Sequence, residues 1–210
     1  MEAKRTYDRY SRFYDWIGGQ LERQYAQFGV NFLDIVPGEI VLEIGYGTGH
    51  MILALAKKVG PTGKVIGIDI SPKMYEIAQH RVKTSGLETR VNLLCADALE
   101  LTLAKSTFDA IFMSFTLELF DTPEIPLLLA KCRRLLKSGG QIGVVALSKC
   151  QGTTRMVRLY EWVNRFFPQW VDCRPIYSEQ ALKESGFKIC KSKIQHMFGL
   201  PIEIIVAQKS

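Results

Sequence analysis

The ten residues VLEIGYGTGH, at positions 41–50, decide the fold of this chain. An apolar run leads into three glycines, Gly45, Gly47 and Gly49, and a helical pattern follows them. A glycine loop between a strand and a helix lets the backbone approach a ligand closely, while the N-terminus of the helix faces that ligand. The dinucleotide fingerprint G-x-G-x-x-G would need its third glycine at His50, and no Gly-Lys-Ser/Thr follows as in a phosphate-binding P-loop. The stretch therefore predicts another kind of ligand-binding loop, with the acid Glu43 two residues before its first glycine.

Short apolar strands alternate with helical patterns on both sides of this loop. The predicted strands are residues 40–44, 64–69, 91–95, 108–114 and 141–147, and the predicted helices are residues 51–59, 72–86 and 123–136. Strands that are apolar on both faces and separated by helices predict a parallel sheet covered by helices on both sides. Residues 187–195 and 201–207 are two further strands, and the loop between them is too short for a crossover helix, so they are expected to pair antiparallel at one edge of the sheet.

Composition limits the class of protein. The chain has 210 residues, of which 47% are hydrophobic and 23% charged, and these values exclude a disordered tail, a coiled coil and a collagen-like rod. The net charge of +6 is spread along the chain, so it does not by itself indicate a nucleic-acid partner. We find no signal peptide and no apolar run long enough to span a membrane, and we expect a cytoplasmic protein. The five cysteines form no C-x-x-C pair and are expected to be reduced thiols.

Two aspartates follow neighbouring strands at the edge that carries the glycine loop. Asp69 ends the second strand, where a carboxylate can accept hydrogen bonds from both hydroxyls of a ribose. Asp97 comes just after the third strand and is placed to accept from an adenine amino group. The end of the fourth strand, at Ser114, would line the reactive side of such a site. The pattern predicts a nucleoside-binding edge.

Five segments, in this order and spacing, resemble the class I S-adenosylmethionine-dependent methyltransferases. They are LEIGYGTG at 42–49, GIDISPKM at 67–74, CADALEL at 95–101, FDAIFMSF at 108–115 and LLKSGGQIGV at 135–144. The resemblance implies an α/β fold, with a Rossmann-like seven-stranded, mostly parallel sheet, helices on both faces and a C-terminal antiparallel hairpin. It also implies S-adenosylmethionine as the cofactor.

The resemblance assigns roles to individual residues. The three glycines would flank the methionine moiety, Asp69 would bind the ribose, and Asp97 and Ala98 would hold the adenine. Tyr46 departs from the family, which more often has a small residue there, so its ring is expected either to narrow the loop or to turn outward. The full set of expected cofactor-binding residues is Tyr14, Glu43, Gly45, Tyr46, Gly47, Gly49, Asp69, Ile70, Met74, Asp97, Ala98 and Ser114.

No catalytic residue and no metal site are predicted, because transfer of a methyl group from a sulfonium is a direct displacement that depends mainly on alignment and exclusion of water. A general base is needed only if the acceptor must lose a proton, and Glu118 and Asp121 are the candidates. His196 could reach the mouth of the site, although a structural role is the alternative.

Two outer segments complete the predicted organisation, which is a single domain over residues 1–210. In the segment 1–36, expected to form lid helices, Tyr7 and Tyr14 lie on an aromatic stripe whose default role is to pack on the sheet domain. The stripe also resembles the N-terminal segment of the ubiquinone/menaquinone-biosynthesis and phosphatidylethanolamine methyltransferases, which closes over the cofactor. The cofactor-binding core spans 37–148, a substrate-side insertion 149–177, and a C-terminal helix and hairpin 178–210. The insertion contains an amphipathic pattern that either packs across the mouth of the site or meets a bilayer.

The expected function is methyl transfer from S-adenosylmethionine to a small or lipid-like acceptor, with a quinol or a phospholipid headgroup as the guess. The alternatives are an NAD(P)-dependent oxidoreductase and a catalytically silent S-adenosylmethionine-binding module. A peripheral membrane contact stays open, and no nucleic-acid partner is expected. Base methyltransferases that act on amino groups carry Asn/Asp-Pro-Pro-Tyr/Phe after the fourth strand, whereas residues 114–117 read SFTL.

Overall fold

The computed structural model describes residues 19–149, 174–197 and 199–209, and these residues form a three-layer α/β fold. Seven strands of this part of the chain make one sheet in the order β3-β2-β1-β4-β5-β7-β6. Strands β1 to β5 are parallel to one another, whereas β7 runs antiparallel to β5 and β6 antiparallel to β7. The predicted fold class and C-terminal hairpin are therefore confirmed.

The strands and helices have the following bounds. The strands are β1 Ile40–Ile44, β2 Lys64–Asp69, β3 Val91–Cys95, β4 Phe108–Ser114, β5 Leu136–Leu147, β6 Phe187–Met197 and β7 Leu200–Lys209. The helices are α1 Gly19–Phe32, α2 His50–Lys58, α3 Pro72–Thr84, α4 Glu124–Leu135 and α5 Ser178–Glu184, with a short 3-10 helix at Leu117–Leu119.

The sheet has a hydrophobic layer on each face because apolar side chains of its central strands point to both sides. Along β1, Val41 packs on one face with residues of α1, α2 and α3, while Leu42 packs on the other with residues of α4 and α5. The helices on the two faces contribute side chains such as Ile52 and Leu128, both with no exposed surface. A central strand covered on both sides holds its C-terminal end, and the loop that follows it, in a fixed position.

Helix α3 begins as its sequence predicts. The Ser71 hydroxyl accepts a hydrogen bond from the Met74 N–H at 3.4 Å, and Pro72 occupies the first turn, where its missing N–H is not needed. On the helix, Met74, Ala78 and Val82 are the buried residues. This start places Met74 and the preceding loop at the C-terminal edge of β2.

Strand β5 differs from the prediction. It starts at Leu136, five residues before the expected position 141, so that residues 138–140, expected to end the preceding helix, lie within the strand. Leu136 pairs with Phe108 of β4, and a register shift follows before pairing resumes between Ala110 and Gln141. The irregularity accommodates the glycines that sequence reasoning took as a turn.

Candidate active site

A cavity of about 610 Å³ opens at the C-terminal ends of β1, β2, β3 and β4. In the strand order, β1 lies between β2 and β4. The chain adds β2 and β3 on one side of β1 and then β4 and β5 on the other side, so the strand order reverses at β1. Open α/β sheets bind ligands in the crevice that such a reversal leaves between the loops of neighbouring strands. The topology alone therefore places a ligand site where the glycine loop lies.

The glycine loop needs glycine for two separate reasons. Gly45 has φ +74°, and a Cβ there would stand 2.9 Å from the Thr116 Cβ, with other atoms of that side chain closer still. Gly47 has φ +50° and open space around it on the cavity wall. Gly49, predicted to bind the cofactor, is not among the residues that line the cavity. Its φ is +81°, and a Cβ at this position would stand 2.9 Å from the Ala78 Cβ. Glycine therefore allows the start of α2 to pack on α3.

Asp69 connects the glycine loop to the start of α3. Its Oδ2 accepts a hydrogen bond from the Gly47 N–H at 2.7 Å, and its Oδ1 accepts one from the Ser71 N–H at 2.9 Å. Burial raises the pKa of this carboxyl group, while the backbone hydrogen bonds from Ser71, Gly47 and Ile70 act in the opposite direction. Each carboxylate oxygen keeps a second lone pair, so the group can still accept from a diol in the cavity.

The residues expected on the adenine side lie together on the cavity wall. Ile70, Met74, Asp97 and Ala98 all line the cavity. Asp97 Oδ1 accepts a hydrogen bond from the Leu99 N–H at 2.7 Å, which fixes the carboxyl group at the end of β3. Ile70 is 42% exposed, so it offers apolar surface to the opening, whereas Met74 lies at the buried base.

Of the two expectations for Tyr46, the outward-turned ring is wrong, because the ring lies in the core. The side chain is buried beside Gly67 of β2, where a Cβ would stand 2.7 Å from the Tyr46 ring, and its hydroxyl donates to the Leu94 carbonyl at 3.4 Å. Tyr46 still contributes to the cavity wall. The Tyr46 ring therefore packs in the core beneath the glycine loop and supports it.

Glu43 and Ser114 lie on the wall at the ends of β1 and β4. The Glu43 carboxyl group is 1% exposed, and its Oε2 has no hydrogen-bond partner among the described residues. Burial, and secondarily the charge of Asp69, raise the pKa of Glu43 well above its usual range. An unpaired buried acceptor at a cavity wall suits a ligand that brings a hydrogen-bond donor or a positive charge.

Sequence reasoning missed a second group of wall residues, which we call the second wall. They come from α1 and from the segment after β4, and they are Glu22, Arg23, Leu119, Phe120 and Glu124. Asp121, a predicted base candidate, also lines the cavity but is exposed. No motif marks these residues, since they meet only after folding.

Several sequence predictions fall elsewhere. Tyr7, Tyr14 and the amphipathic pattern of the insertion lie outside the described residues. The His196 carbonyl accepts a hydrogen bond from the Tyr25 hydroxyl at 2.8 Å, which joins β6 to α1. Within the described ranges, no three His, Cys, Asp or Glu side chains come together as a metal site. None of the helices described is both long and apolar enough to cross a membrane.

Three features together define an α/β fold of the methyltransferase type. They are the strand order, the antiparallel C-terminal strands, and a glycine loop followed by aspartates at the ends of the next two strands. A family model described as "Methyltransferase domain" matches residues 41–140. The demethylmenaquinone methyltransferase of Symbiobacterium thermophilum is 30% identical over 179 residues, which cover 83% of this chain and 67% of that protein. The chain belongs to the class I S-adenosylmethionine-dependent methyltransferases, similar to those of ubiquinone and menaquinone biosynthesis, and the oxidoreductase alternative is set aside.

Other relatives and solved structures agree with this assignment. The ubiquinone/menaquinone biosynthesis C-methyltransferase of Ectopseudomonas mendocina is 31% identical over 153 residues, covering 73% of this chain and 59% of that protein. The chain thus spans about three fifths to two thirds of the length of these two relatives. In fold, it is similar to geranyl diphosphate methyltransferase in complex with GPP and sinefungin, at a TM-score of 0.75 and 16% identity, with coverage of 91% of this chain and 79% of that chain.

The residues of the cavity fit S-adenosylmethionine. The glycine loop, where no Cβ stands in the way, suits a ligand that lies close to the backbone. The Asp69 carboxylate has free lone pairs that suit a ribose diol, and the unpaired buried Glu43 oxygen suits a cationic amino group. The fit rests on the chemistry of the donors and acceptors present.

Proposed function

We propose that this chain transfers a methyl group from S-adenosylmethionine to a quinol, a lipid-like aromatic acceptor. The observation that carries the proposal is that relatives named for quinone biosynthesis share 30–31% identity with most of the chain. The second wall supports it, because Leu119 and Phe120 offer apolar surface beside carboxyl groups. Such a mixture suits a ring that carries hydroxyl groups.

The cofactor side of the proposal assigns each residue a task. Asp69 would accept hydrogen bonds from the ribose hydroxyls, Asp97 from the adenine amino group, and Glu43 from the amino group of the methionine part. When bound, S-adenosylmethionine supplies an electrophilic methyl group. The chain's own contribution is to align the acceptor with that group and to exclude water.

A labelled-methyl transfer screen tests the proposal. The acceptors are a short-chain demethylnaphthoquinol kept reduced, the same compound oxidised, phosphatidylethanolamine vesicles and a small thiol. We expect label in the reduced quinol alone, since the oxidised ring has lost the electron-rich hydroxyl groups that make its carbon nucleophilic. The Asp69→Asn variant controls for transfer outside the site. Labelling of another acceptor, without the quinol, would reject the proposal.

A further inference from the structure

The glycine loop is packed at both of its ends, and the stretch between them faces the cavity. Gly45 lies against Thr116, and Gly49 lies against Ala78 of α3. Between these two contacts, Gly47 and Thr48 line the cavity, and a Cβ at Gly47 would meet no atom of the described residues within 4 Å. A peptide group with open space beside it depends on hydrogen bonds for its orientation.

Two charged side chains supply hydrogen bonds to this stretch. On the ribose side, the Asp69 carboxylate accepts from the Gly47 N–H at 2.7 Å. From the last turn of α3, Arg81 Nη1 donates to the Thr48 carbonyl at 2.8 Å and to the Thr48 hydroxyl at 3.2 Å. Hydrogen bonds in which one partner is charged are shorter and stronger than those between neutral groups. The backbone that faces the cavity is thus held by a carboxylate on one residue and a guanidinium on the next.

The contact with Arg81 fixes a whole peptide plane. Gly49 is the N-cap of α2, and its carbonyl accepts the Leu53 N–H at 3.3 Å, so the Thr48 carbonyl lies outside the hydrogen-bond ladder of that helix. In a trans peptide the C=O and N–H point in opposite directions. While the Thr48 carbonyl points to Arg81, the Gly49 N–H donates to the Tyr46 carbonyl at 2.8 Å. Arg81 therefore helps to set the turn from Tyr46 to Gly49.

We propose that Arg81 is a positioning residue for the cofactor, which holds the Thr48–Gly49 peptide so that the glycine loop fits the methionine part of S-adenosylmethionine. Arg81 itself does not line the cavity, so it acts through the loop. The inference rests on the proposed function, because it requires the methionine part to lie against this loop. The ribose and adenine sides are built at the opposite end of α3 and after β3, so they should depend much less on Arg81.

The first test compares two ligands by isothermal titration. S-adenosylhomocysteine contains the amino-acid part, and 5′-methylthioadenosine has the same adenine, ribose and thioether without it. Arg81→Ala should bind S-adenosylhomocysteine about 10- to 100-fold more weakly, the range for losing hydrogen bonds from a charged donor. Its affinity for 5′-methylthioadenosine should stay within about threefold of the wild type. Equal weakening for both ligands would indicate a general structural role, and either that result or an unchanged S-adenosylhomocysteine affinity would overturn the proposal.

Two further variants separate the hydrogen bonds from the charge. One nitrogen of Arg81 makes both contacts, so the ammonium group of Arg81→Lys can replace it, and this variant should bind S-adenosylhomocysteine within about threefold of the wild type. Lys83→Ala removes an exposed positive charge from the same turn of α3 and should bind as the wild type. If Arg81→Lys binds as weakly as Arg81→Ala, or if Lys83→Ala binds equally weakly, the positioning role is refuted.

The second test observes the loop without any ligand. Hydrogen exchange of the Gly49 amide, followed by NMR, reports how often its bond to the Tyr46 carbonyl opens. In Arg81→Ala this amide should exchange at least about tenfold faster than in the wild type, because the peptide plane is no longer held from its carbonyl side. Lys83→Ala should leave the rate unchanged. Wild-type exchange in Arg81→Ala would show that the loop does not depend on this side chain and would overturn the proposal.

The outcomes separate this inference from the proposed function, because neither test needs a methyl acceptor. If Arg81→Ala loses affinity for S-adenosylhomocysteine selectively while the wild type fails to methylate the quinol, the quinol assignment falls and the role of Arg81 stands. If the quinol is methylated and Arg81→Ala binds S-adenosylhomocysteine as the wild type does, the role of Arg81 is refuted and the quinol assignment stands.

Discussion

Replacing Asp69 with Asn is the most direct test of the cofactor site. Both carboxylate oxygens already accept backbone N–H groups, from Gly47 and Ser71, so the asparagine nitrogen must face one of these donors. The variant then loses one acceptor and the negative charge. A hydrogen bond to a charged group contributes about 1.5–3 kcal/mol and a neutral one about 0.5–1.5 kcal/mol. Losing one charged bond to the ribose and weakening the other therefore costs about 2–4 kcal/mol.

This cost corresponds to binding that is weaker by about 30- to 700-fold. Isothermal titration with S-adenosylhomocysteine measures it, and circular dichroism checks that the fold is retained. Asp109→Asn is the matched control, because that carboxylate also accepts a backbone hydrogen bond, from the Ile40 N–H, but lies near the N-terminal end of β4. Affinity within threefold of the wild type in Asp69→Asn would show that the ribose is bound elsewhere and would refute the reasoning.

Three further predictions concern the loop, the core and pH. Gly45→Ala should weaken S-adenosylhomocysteine binding at least tenfold by titration, because φ is +74° there and the new Cβ would clash with the Thr116 side chain. Equal binding would mean that the loop moves freely. Gly67→Ala should lower the free energy of unfolding by about 1–3 kcal/mol in urea, because its Cβ would meet the Tyr46 ring; an unchanged midpoint would contradict this packing. The Glu118 pKa, raised from 4.5 to about 8, means that the folded chain holds a proton that the unfolded chain releases. Wild-type stability should therefore fall by about 5 kcal/mol relative to Glu118→Gln between pH 4.5 and 8, measured by urea unfolding, and parallel curves would contradict the pKa.

The central strands could be predicted to the residue because each is a short, mainly apolar run that stops at a turn, a glycine or a polar residue. The bounds of β1 to β4 match the sequence prediction. The start of β5 could not be predicted, since Gly139 and Gly140 have the local character of a helix end, and only the pairing of Leu136 with Phe108 overrides it. Local propensity gives way to a tertiary contact there.

Some features of the site could likewise be predicted from the sequence, and others depend on tertiary packing. Asp69 and Asp97 could be placed in advance, because the C-terminal ends of parallel strands meet at one edge, where a residue that ends a strand or closely follows it must lie. The direction of the Tyr46 ring could not, since it depends on the space that Gly67 leaves on the neighbouring strand. Glu22 carries no signal at all, because its place at the cavity depends on how α1 packs across the sheet.

The segment from Ser114 to Glu118 links the two halves of the cavity. Thr116 packs against Gly45 of the cofactor loop, while Glu118 accepts from Leu147 at the end of β5. Between them, Phe115 has φ +50°, an unfavourable value for a residue with a side chain, and its N–H donates to the Val145 carbonyl at 2.7 Å. Strain of this kind persists only where surrounding contacts enforce it. Because one constrained segment supports both walls, its backbone would hold a cofactor and an acceptor bound there in a fixed relative position, which is what a direct displacement requires.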